Sequence, residues 1–267
     1  MARVGAHDVT THGLSQRRDL VRAEVLKAGY VRVEDLAQTH QVSLMTMHRD
    51  LDQLQIEGWI TKIRGAATAN PTALRDAGVT ERSMSMSAEK AAIVREAGRL
   101  LGRGQTIFLD DSTTAIGLVP LLSVHAPVTF ATNFVPAMAL VSPSDGVEVK
   151  LLGGTYDPRL QSCSGLQTVD AINNLQADLL FMSTTGITES RCVHRSEATL
   201  MVRRALLARS LRKVLLVDHA KFGRPAPHVL CGVEAFDTII TDDRASEEDL
   251  QGLRERCTDV RVAATEP

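Results

Sequence analysis

Seven short apolar runs in the second two-thirds of the chain restrict its fold more than any other feature. They are "QTIFLD", "VTFAT", "VEVKLLG", "ADLLFMS", "KVLLVD", "FDTIIT" and "VRVAA", and helical segments such as "SEATLMVRRALLARS" lie between most of them. Continuous apolar runs of this length are typical of strands buried on both faces, and parallel strands require crossover connections. We therefore predict an α/β domain over residues 88–267, with an open, mostly parallel sheet covered by helices.

Residues 15–67 show a different pattern. "SQRRDLVRAEVLKAG" predicts a helix with Ser15 as its N-cap, and "VRVEDLAQTH" predicts a second, short helix. After the tight "QVS", Ser43 is placed to cap a third helix that continues to about Ile56, and the β-rich "EGWITKIRGAA" follows. Three short helices and a β wing predict a winged helix-turn-helix domain.

The remaining segments carry weaker signals. Residues 1–14 are polar and aperiodic, which predicts a flexible tail, and residues 68–87, with Pro71 and Gly78, predict a linker. Because no signal peptide or membrane-length apolar run is present, we expect a cytoplasmic protein without a membrane partner. The four cysteines include no CxxC pair, so we expect neither a metal site nor a disulfide framework, and nothing calls for a cofactor.

Composition limits how the chain could bind nucleic acid. Only 3% of the residues are aromatic, which argues against stacking on single-stranded bases as the main mode of binding. The formal net charge is -2, so no overall basic field attracts a polyanion. Any contact with DNA must therefore depend on local geometry.

The third helix of the first domain is the expected recognition helix. In a helix-turn-helix the first turn of this helix enters the major groove, where arginine can bind guanine through two hydrogen bonds and histidine can donate one. The candidates for base or nearby phosphate contacts are Ser43, Thr46, His48 and Arg49, and those for phosphate contacts from the flanks are Arg17, Arg18, Lys62 and Arg64.

Polar loops follow several of the predicted strands in the second domain. Because ligands bind beyond the carboxyl ends of strands in open α/β sheets, these loops can converge on one pocket. Hydroxyls and backbone amides in "DDSTT", between a strand and a helix, suit a phosphate group. The candidate effector-binding residues are Asp110, Asp111, Ser112, Thr113, Thr114, Thr132, Asn133, Gly153, Gly154, Asp178, Gly186 and Lys221.

The first domain resembles the DNA-binding domain of the DeoR family of bacterial transcriptional regulators. The family pattern V-S-x-x-T-I-R-R-D-L, L-E-x-x-G and a basic wing ending G-G-A corresponds here to "VSLMTMHRDL", "LQIEGW" and "KIRGAA". His48 replaces the usual arginine and Ala66 the usual second glycine. Because His48 removes one permanent positive charge from the recognition helix, the departure implies altered DNA specificity. The resemblance to the family covers nearly the whole chain.

The second half resembles the DeoR-family sensor domain, whose fold is that of ribose-5-phosphate isomerase and the CoA-transferase-like proteins. The resemblance implies that "DDSTT", "ATN", "GGTYDPRLQSCSG" and "DHAKFG" surround a pocket for a phosphorylated sugar. The family usually has D-S-G-T-T at the first loop, where this chain has Ser112 in place of glycine, and Phe134 follows "ATN" in place of a small residue. Both departures imply a different effector preference.

These inferences predict a repressor of carbohydrate metabolism genes that binds double-stranded operator DNA as a homodimer or homotetramer and responds to a phosphorylated sugar. We assign no catalytic residue. One alternative is a sugar-phosphate isomerase with an attached DNA-binding domain, since Asp110, Asp111, Asp178 and Lys221 supply the residue types for such chemistry. Another is a DNA-organising protein without an effector, against which the polar strand-end loops argue.

Overall fold

Two units, Met1–Ser87 and Ala88–Pro267, make up the chain. The computed structural model describes residues 8–56, 59–69, 79–142 and 146–265. In the first unit the elements are α1 (Asp8–Ala28), β1 (Tyr30–Arg32), α2 (Val33–Thr39), α3 (Leu44–Ile56), β2 (Ile60–Ile63), β3 (Ala66–Ala69) and α4 (Val79–Met84).

The first unit is a winged helix-turn-helix, as predicted. Helix α3 buries Met47, Leu51 and Leu54, which recur at helical spacing and pack with apolar residues of α1 and α2. The strands form an antiparallel sheet in the order β1-β3-β2, and β2 and β3 are the wing. Gly65 has a φ of 76° in the turn of the wing, a conformation that glycine adopts without strain.

Helix α1 begins earlier than the sequence pattern predicted. It starts at Asp8, so Ser15 lies inside the helix and is not its N-cap, and residues 8–14 are not a loose tail. Apolar periodicity detects only the part of a helix that packs, and here that part is the segment carrying Val21 and Val25. Residues 1–7 of the predicted tail lie outside the described residues.

The predicted linker also contains regular structure at both ends. Strand β3 extends to Ala69, and helix α4 covers Val79–Met84. Strand β3 forms because it pairs with β1 and β2. The polar composition of residues 68–87, from which the linker was predicted, does not indicate such pairing. Residues 70–78 lie outside the described residues.

The second unit contains twelve named strands among its described residues, together with helices and 3₁₀ segments. They are α5 (Ser87–Gly98), β4 (Thr106–Leu109), β5 (Val128–Thr132), β6 (Val147–Leu151), β7 (Thr155–Asp157), β8 (Ser162–Ser164), α6 (Leu166–Asn173), β9 (Ala177–Met182), β10 (Gly186–Thr188), β11 (Arg191–His194), α7 (Glu197–Ala208), β12 (Ser210–Leu216), β13 (His228–Gly232), β14 (Thr238–Asp242), α8 (Glu247–Arg254), β15 (Asp259–Ala263) and 3₁₀ segments at Ala115–His125, Val135–Leu140, His219–Lys221 and Val233–Ala235.

The main sheet of this unit confirms the α/β prediction. Seven strands lie in the order β15-β14-β12-β9-β4-β5-β6, and every pair is parallel. Apolar clusters cover the sheet, with α7 and α8 contributing to one and α5 to the other. Strands β5 and β6 continue from β4 to one side, whereas β12, β14 and β15 continue from β9 to the other. The boundary between β4 and β9 is therefore the topological switch point, where open α/β sheets bind ligands.

Two small antiparallel sheets were not predicted. Residues 155–164, expected to be a loop, contain the hairpin of β7 and β8, and β10, β11 and β13 form a separate sheet in the order β10-β11-β13. These strands have three to five residues, too few to show an apolar alternation, and the pairing of β11 with β13 joins segments that are distant in the chain.

Candidate functional site

Helix α3 begins with a hydrogen-bonded cap. The backbone N–H of Thr46 donates to Oγ of Ser43 at 3.2 Å, and the two hydroxyls lie 2.9 Å apart. Both candidate DNA-contacting residues therefore take part in the cap. Their hydroxyls hold the first turn of α3 in shape, in addition to any contact that they make with DNA.

The exposed side of that first turn combines polar and apolar side chains. His48 and Arg49 are exposed, and within the described residues neither has a hydrogen bond or ion pair. Leu44 and Met45 are also exposed, to 48% and 67%. Neither was among the candidates predicted from the sequence, although apolar residues at the start of a predicted recognition helix were a signal that could have identified them.

Arg17 and Arg18, predicted to contact phosphates, both pair with a carboxylate of α3. Nε of Arg17 lies 2.7 Å from Oδ2 of Asp50, and Nε of Arg18 lies 3.0 Å from Oδ1 of the same carboxylate. Asp50 is buried on the inner side of α3. Because a buried carboxylate must be paired, the two arginines connect α1 to α3, and their contact with phosphate stays a prediction.

The wing presents two basic residues with different surroundings. Nζ of Lys62 on β2 lies 2.5 Å from Oδ1 of Asp52 on α3, so this lysine connects the wing to the recognition helix. Arg64 is exposed in the turn between β2 and β3 and has no hydrogen bond or ion pair within the described residues. Of the four predicted flanking residues, Arg64 is the one that the structure presents to solvent without a partner.

In the second unit, Asp110 connects the two strands at the switch point. It follows β4 directly, and its backbone N–H donates to the carbonyl of Phe181 on β9 at 3.2 Å. Its carboxylate accepts hydrogen bonds from the backbone N–H groups of Ser112, at 3.1 Å, and Ser183, at 2.9 Å. Asp110 thus joins the loops that follow β4 and β9.

Arg203, which was not predicted from the sequence, pairs with both aspartates of the first loop. Its Nη1 lies 2.7 Å from Oδ2 of Asp110 and its Nη2 lies 2.7 Å from Oδ1 of Asp111, while Nη1 also donates to the carbonyl of Ser183. Burial raises the pKa of Asp110, and the positive charge of Arg203 opposes that rise. Burial alone would lower the pKa of Arg203, but the two carboxylates outweigh it and the pKa is raised.

A signal for Arg203 was present in the helix pattern. Leu200, Arg203 and Leu206 follow one another at three-residue spacing on the buried face of α7. An arginine in the middle of an apolar face is expensive to bury unless it is paired, so its position indicates an acidic partner elsewhere in the chain. The sequence does not say which acidic residue that is.

Burial and the same arginine keep a nearby histidine neutral. His194 ends β11, and its pKa falls to about 3 because burial removes water from the ring and because Arg203 is close. Its Nδ1 accepts a hydrogen bond from the backbone N–H of Ser196 at 3.3 Å. The imidazole is therefore uncharged and is fixed close to Arg203.

Lys221 reaches the switch point from the loop after β12. Its Nζ donates to Oγ of Ser183 at 2.6 Å and lies 3.9 Å from Oδ2 of Asp218. Burial lowers the pKa of Lys221, and the charge of Asp218 opposes that shift. Two predicted residues, Lys221 and Asp110, are thus brought together. Each forms a hydrogen bond with Ser183, which was not predicted.

The hydroxyl groups of the "DDSTT" loop have specific partners. Oγ of Ser112 accepts from the backbone N–H of Ala115 at 3.0 Å, and Oγ1 of Thr113 accepts from Nζ of Lys90 at 3.1 Å. Thr114 is buried and precedes the 3₁₀ segment. The φ angle of Ser112 is not positive, so serine occupies the position of the family's usual glycine without the strain of a left-handed conformation.

Asn133 follows β5, and only the Nδ2 side of its amide group has a hydrogen-bond partner within the described residues. Its Nδ2 donates to the carbonyl of Cys163 at 2.8 Å, whereas its buried Oδ1 has no donor within the described residues. Oγ1 of the preceding Thr132 accepts from the backbone N–H of Phe134 at 3.1 Å. The side chain of Phe134 is buried, and its influence on effector preference stays a prediction.

One of the two glycines after β6 permits close packing. The hydroxyl of Thr168 on α6 donates to the carbonyl of Gly153 at 2.7 Å. Gly154 has a φ of 146°, and a Cβ built there would lie 2.2 Å from Oγ1 of Thr168 and 2.7 Å from the carbonyl of Ser164. Gly154 therefore brings the loop against α6, where a side chain could not fit, whereas a Cβ at Gly153 would meet open space.

Gly186 has a similar role at the start of β10. A Cβ at this position would lie 1.9 Å from the carbonyl oxygen of Arg224, so the absence of a side chain lets the loop after β12 approach β10. The predicted contribution of Gly186 to the pocket is therefore indirect. It fixes the position of the loop that carries Lys221.

Asp178 does not join the other predicted residues. It lies at the beginning of β9, where its carboxylate accepts from the backbone N–H of Thr106 at the beginning of β4, at 2.8 Å. In a parallel sheet the amino ends of the strands lie opposite the carboxyl ends. We therefore correct its assignment, because Asp178 lies at the edge away from Asp110 and Lys221.

A histidine–aspartate pair lies at the ends of β12 and β14. Nδ1 of His219 lies 2.9 Å from Oδ1 of Asp242, and the backbone N–H of His219 donates to the other oxygen at 2.7 Å. The hydrogen bond to Asp242 raises the pKa of His219. Burial acts to raise the pKa of Asp242, but the hydrogen bonds from His219 outweigh it and the pKa is lowered.

Two features are absent from the described part of the chain. No group of three or more histidine, cysteine, aspartate or glutamate residues there could hold a metal ion. Across the same residues, no helix has the length and apolar character needed to span a membrane.

Family models match both units of the chain. Residues 17–73 match the DeoR-like helix-turn-helix domain, and residues 85–243 match the DeoR C terminal sensor domain. A solved structure, ribose 5-phosphate isomerase A from Methanocaldococcus jannaschii, aligns over 51% of this chain and 54% of its own, with 15% identity and a TM-score of 0.36.

Relatives of similar length share about a quarter of their residues with this chain. The putative aga operon transcriptional repressor of Escherichia coli O157:H7 is 27% identical, over 93% of this chain and 93% of its own. The lactose phosphotransferase system repressor of Staphylococcus epidermidis is 28% identical, over 87% and 93%, and the glycerol-3-phosphate regulon repressor of Escherichia coli K12 is 27% identical, over 85% and 90%. These names are those of transcriptional regulators and not of enzymes. The chain therefore belongs to the DeoR family of transcriptional regulators.

Proposed function

We propose that this protein is a repressor of carbohydrate metabolism genes and that a phosphorylated sugar controls its affinity for operator DNA. The relatives named above are repressors of the aga operon, of a lactose phosphotransferase system and of a glycerol-3-phosphate regulon, and these names support a role in carbohydrate metabolism. Family membership supports the DNA-binding part of the proposal.

DNA binding is assigned to the first turn of α3. The cap formed by Ser43 holds this turn rigid, and exposed Arg49 is the side chain best suited to bind guanine through two hydrogen bonds. Arg64 in the wing supplies a phosphate contact beside it. Binding as a symmetric dimer or tetramer would require half-sites separated by whole turns of the duplex.

The effector site is assigned to the carboxyl ends of β4, β9 and β12. The observation that carries this proposal is the convergence of Asp110, Ser183 and Lys221 at the switch point. Lys221 supplies positive charge for a phosphate group, and the hydroxyls of the "DDSTT" loop supply hydrogen bonds. The carboxylates of Asp110 and Asp111 accept hydrogen bonds from sugar hydroxyls while Arg203 offsets their charge.

Asn133 supplies a further argument for a polar ligand. A buried acceptor without a donor costs about 1 to 3 kcal/mol. A hydroxyl group of the sugar, donating to Oδ1 of Asn133, would remove that cost and would distinguish a polyol from an apolar metabolite. The fixed bond from its Nδ2 to Cys163 determines which side of the amide accepts.

The effector must act by binding two states of the repressor with different affinities. A ligand shifts such an equilibrium only by its differential affinity, which typically supplies about 1 to 3 kcal/mol of coupling. We therefore expect the effector to change operator affinity by roughly 5- to 150-fold.

Fluorescence anisotropy tests the proposal. Labelled duplex from upstream of the protein's own gene is titrated with protein at fixed salt, with and without each member of a panel of sugar phosphates. Specific binding that one sugar phosphate alters supports the proposal. Specific binding that no member of a broad panel alters would reject the effector assignment, and the absence of specific binding would reject the choice of operator.

Three variants separate the two activities. Arg49→Ala should weaken operator binding by about 1 to 3 kcal/mol while it leaves binding of the effector unchanged. Lys221→Ala should retain operator binding and lose the effector response. Arg103→Ala is the control for Lys221, because Arg103 is an exposed cation just before β4, at the opposite edge of the sheet. If Lys221→Ala loses DNA binding but keeps its effector response, the division of roles is wrong.

A further inference from the structure

Two cysteines of the second unit lie opposite each other on neighbouring strands. Cys192 on β11 and Cys231 on β13 are paired in the antiparallel register, although many residues separate them in the sequence. Residues that are directly opposite in an antiparallel pair place their side chains on the same face of the sheet. The two thiols are therefore neighbours, which the sequence spacing does not suggest.

The backbone geometry of this pair suits a disulfide. Directly opposite residues in antiparallel strands have Cα atoms about 4.5 to 5.5 Å apart. Most disulfides join Cα atoms about 4.4 to 6.8 Å apart, so a bond between these residues requires no large movement of either strand. The register shifts immediately after Cys192, and this irregularity gives the two strands further freedom to adjust.

The two thiols differ in exposure. Cys192 lies on the central strand of the order β10-β11-β13 and is fully buried, whereas Cys231 lies on the edge strand and is partly exposed. An oxidant from solvent therefore meets Cys231 first. Cys192 is shielded from solvent and lies beside Cys231.

The electrostatics of the pair support the same order of reaction. The pKa of Cys231 is lowered chiefly because the Cys192 thiol donates a hydrogen bond to its sulfur, and Arg204 adds to this effect. The pKa of Cys192 is raised well above its ordinary value, first by its interaction with Cys231 and then by burial. Thiolate is the reactive form, so Cys231 is the nucleophile and Cys192 retains its proton.

We propose that Cys192 and Cys231 form a reversible intramolecular disulfide when the protein encounters hydrogen peroxide. The Cys231 thiolate attacks the O–O bond of the peroxide, which breaks as an S–O bond forms, and one water leaves after protonation. The Cys192 sulfur then attacks the Cys231 sulfenic acid, the S–S bond forms, the S–O bond breaks, and the proton of Cys192 leaves with the second water. The two thiols are oxidised by two electrons in total, and one peroxide is reduced to two waters.

The other two cysteines serve as internal controls. Cys163 pairs with Tyr156 across the hairpin of β7 and β8, and Sγ of Cys257 donates to the carbonyl of Phe236 at 3.4 Å. Both are buried, and neither lies opposite a cysteine in the strand pairs of the described residues. The proposal therefore distinguishes one pair among the four thiols of the chain, and it does not depend on the proposed function.

Peroxide treatment of the full-length, reduced protein tests the proposal. After treatment with about one equivalent of peroxide, thiol titration in denaturant should fall from four groups to two. Intact mass should fall by two hydrogen atoms, and non-reducing peptide mapping should show the Cys192 and Cys231 fragments joined. Dithiothreitol should restore all four thiols. Cys231→Ser should prevent the loss of two thiols, while Cys163→Ser and Cys257→Ser should each still form the linkage.

Several results would overturn the proposal. They are retention of all four thiols at this dose, a linkage that involves another cysteine, disulfide-linked dimers in place of the internal bond, or over-oxidation of Cys231 while Cys192 stays reduced. The peptide map is made on the unmodified sequence, so the conclusion stands even if Cys231→Ser folds poorly. Circular dichroism of each variant reports whether it folds.

Discussion

Arg203 forms a buried ion pair with Asp111, in which Nη2 of the guanidinium donates to Oδ1 of the carboxylate across 2.7 Å. The pair joins α7 to the loop that follows β4, and the same guanidinium also binds Asp110. Since this loop contains five of the candidate effector-binding residues, its position depends on a helix that the sequence analysis did not connect with it. The arrangement of the site is therefore coupled to the stability of the second unit.

Removing the charge of Arg203 should destabilise the protein strongly. Arg203→Met leaves two buried carboxylates without their cation, and breaking a buried pair in this way costs about 3 to 5 kcal/mol of unfolding free energy. Urea denaturation followed by circular dichroism measures the change. Arg204→Met is the matched control, because Arg204 is the exposed neighbour on the same helix and its loss should cost about 0.5 kcal/mol or less. Equal effects of the two substitutions would contradict the structural role of Arg203.

Arg17 and Arg64 should separate structural support from phosphate contact. Arg17→Ala removes a charged hydrogen bond to buried Asp50 and should lower the unfolding free energy of the first unit by about 1.5 to 3 kcal/mol. The fluorescence of Trp59, the single tryptophan of the chain, reports this transition. The salt dependence of DNA binding should stay unchanged for Arg17→Ala.

Arg64→Ala should give the opposite result. Loss of one phosphate contact should reduce the slope of log affinity against log salt concentration by about one, with little change in stability. If Arg17→Ala reduces that slope and Arg64→Ala does not, Arg17 contacts DNA in addition to its pairing with Asp50, and the expected division between the two arginines is wrong.

Met45 should recognise thymine. Its side chain is 67% exposed on the first turn of α3, and apolar side chains in the major groove contact the C5-methyl group of thymine. Replacing the contacted thymine by deoxyuridine removes one methyl group, worth about 0.8 kcal/mol or roughly fourfold in affinity. Met45→Ala should bind the two DNAs equally.

To test this contact, wild-type protein and Met45→Ala are each titrated with DNA that carries the thymine and with DNA that carries deoxyuridine in its place. Thymines outside the half-site serve as the control, since their replacement should leave the affinity of either protein unchanged. A deoxyuridine effect of the same size in wild type and Met45→Ala would show that Met45 does not contact the methyl group.

The pair of His219 and Asp242 should contribute stability that depends on pH. The folded pKa of His219 is raised above its ordinary value of 6.5, so its contribution is fully present below that value and is lost as the pH rises through the raised pKa. The folded pKa of Asp242 is lowered below 3.8, so its contribution is present above 3.8 and is lost as the pH falls through the lowered pKa. His219→Asn should therefore lose more unfolding free energy at a pH of about 5.5 than at about 8.5.

Denaturant titrations across this pH range provide the measurement. In an Asp242→Asn background, the pH dependence of the His219→Asn effect should become much smaller, because the histidine has lost the carboxylate that raises its pKa. A difference between wild type and His219→Asn that does not vary with pH would show that the imidazole does not gain a proton on folding.

Periodicity predicted the elements that bury an apolar face. Helix α3 was expected from Ser43 to about Ile56 and is observed from Leu44 to Ile56, and each of the seven apolar runs became a strand of the main sheet. The same local pattern indicated that the loops after β4, β5, β6 and β12 would lie at one edge. These features depend on neighbouring residues, and a sequence displays that information directly.

The sequence by itself thus determined the winged helix-turn-helix, the parallel sheet, the family and most of the candidate ligand loops. Only the tertiary structure decided which charged and reactive side chains meet, as for Arg17 with Asp50, Arg203 with Asp111, and Cys192 with Cys231. The structure also places Asp178 at the edge of the sheet opposite to the predicted one. The physical reason is that burial follows from local periodicity, whereas partnership between distant residues depends on the order and register of strands and helices, which no local pattern records.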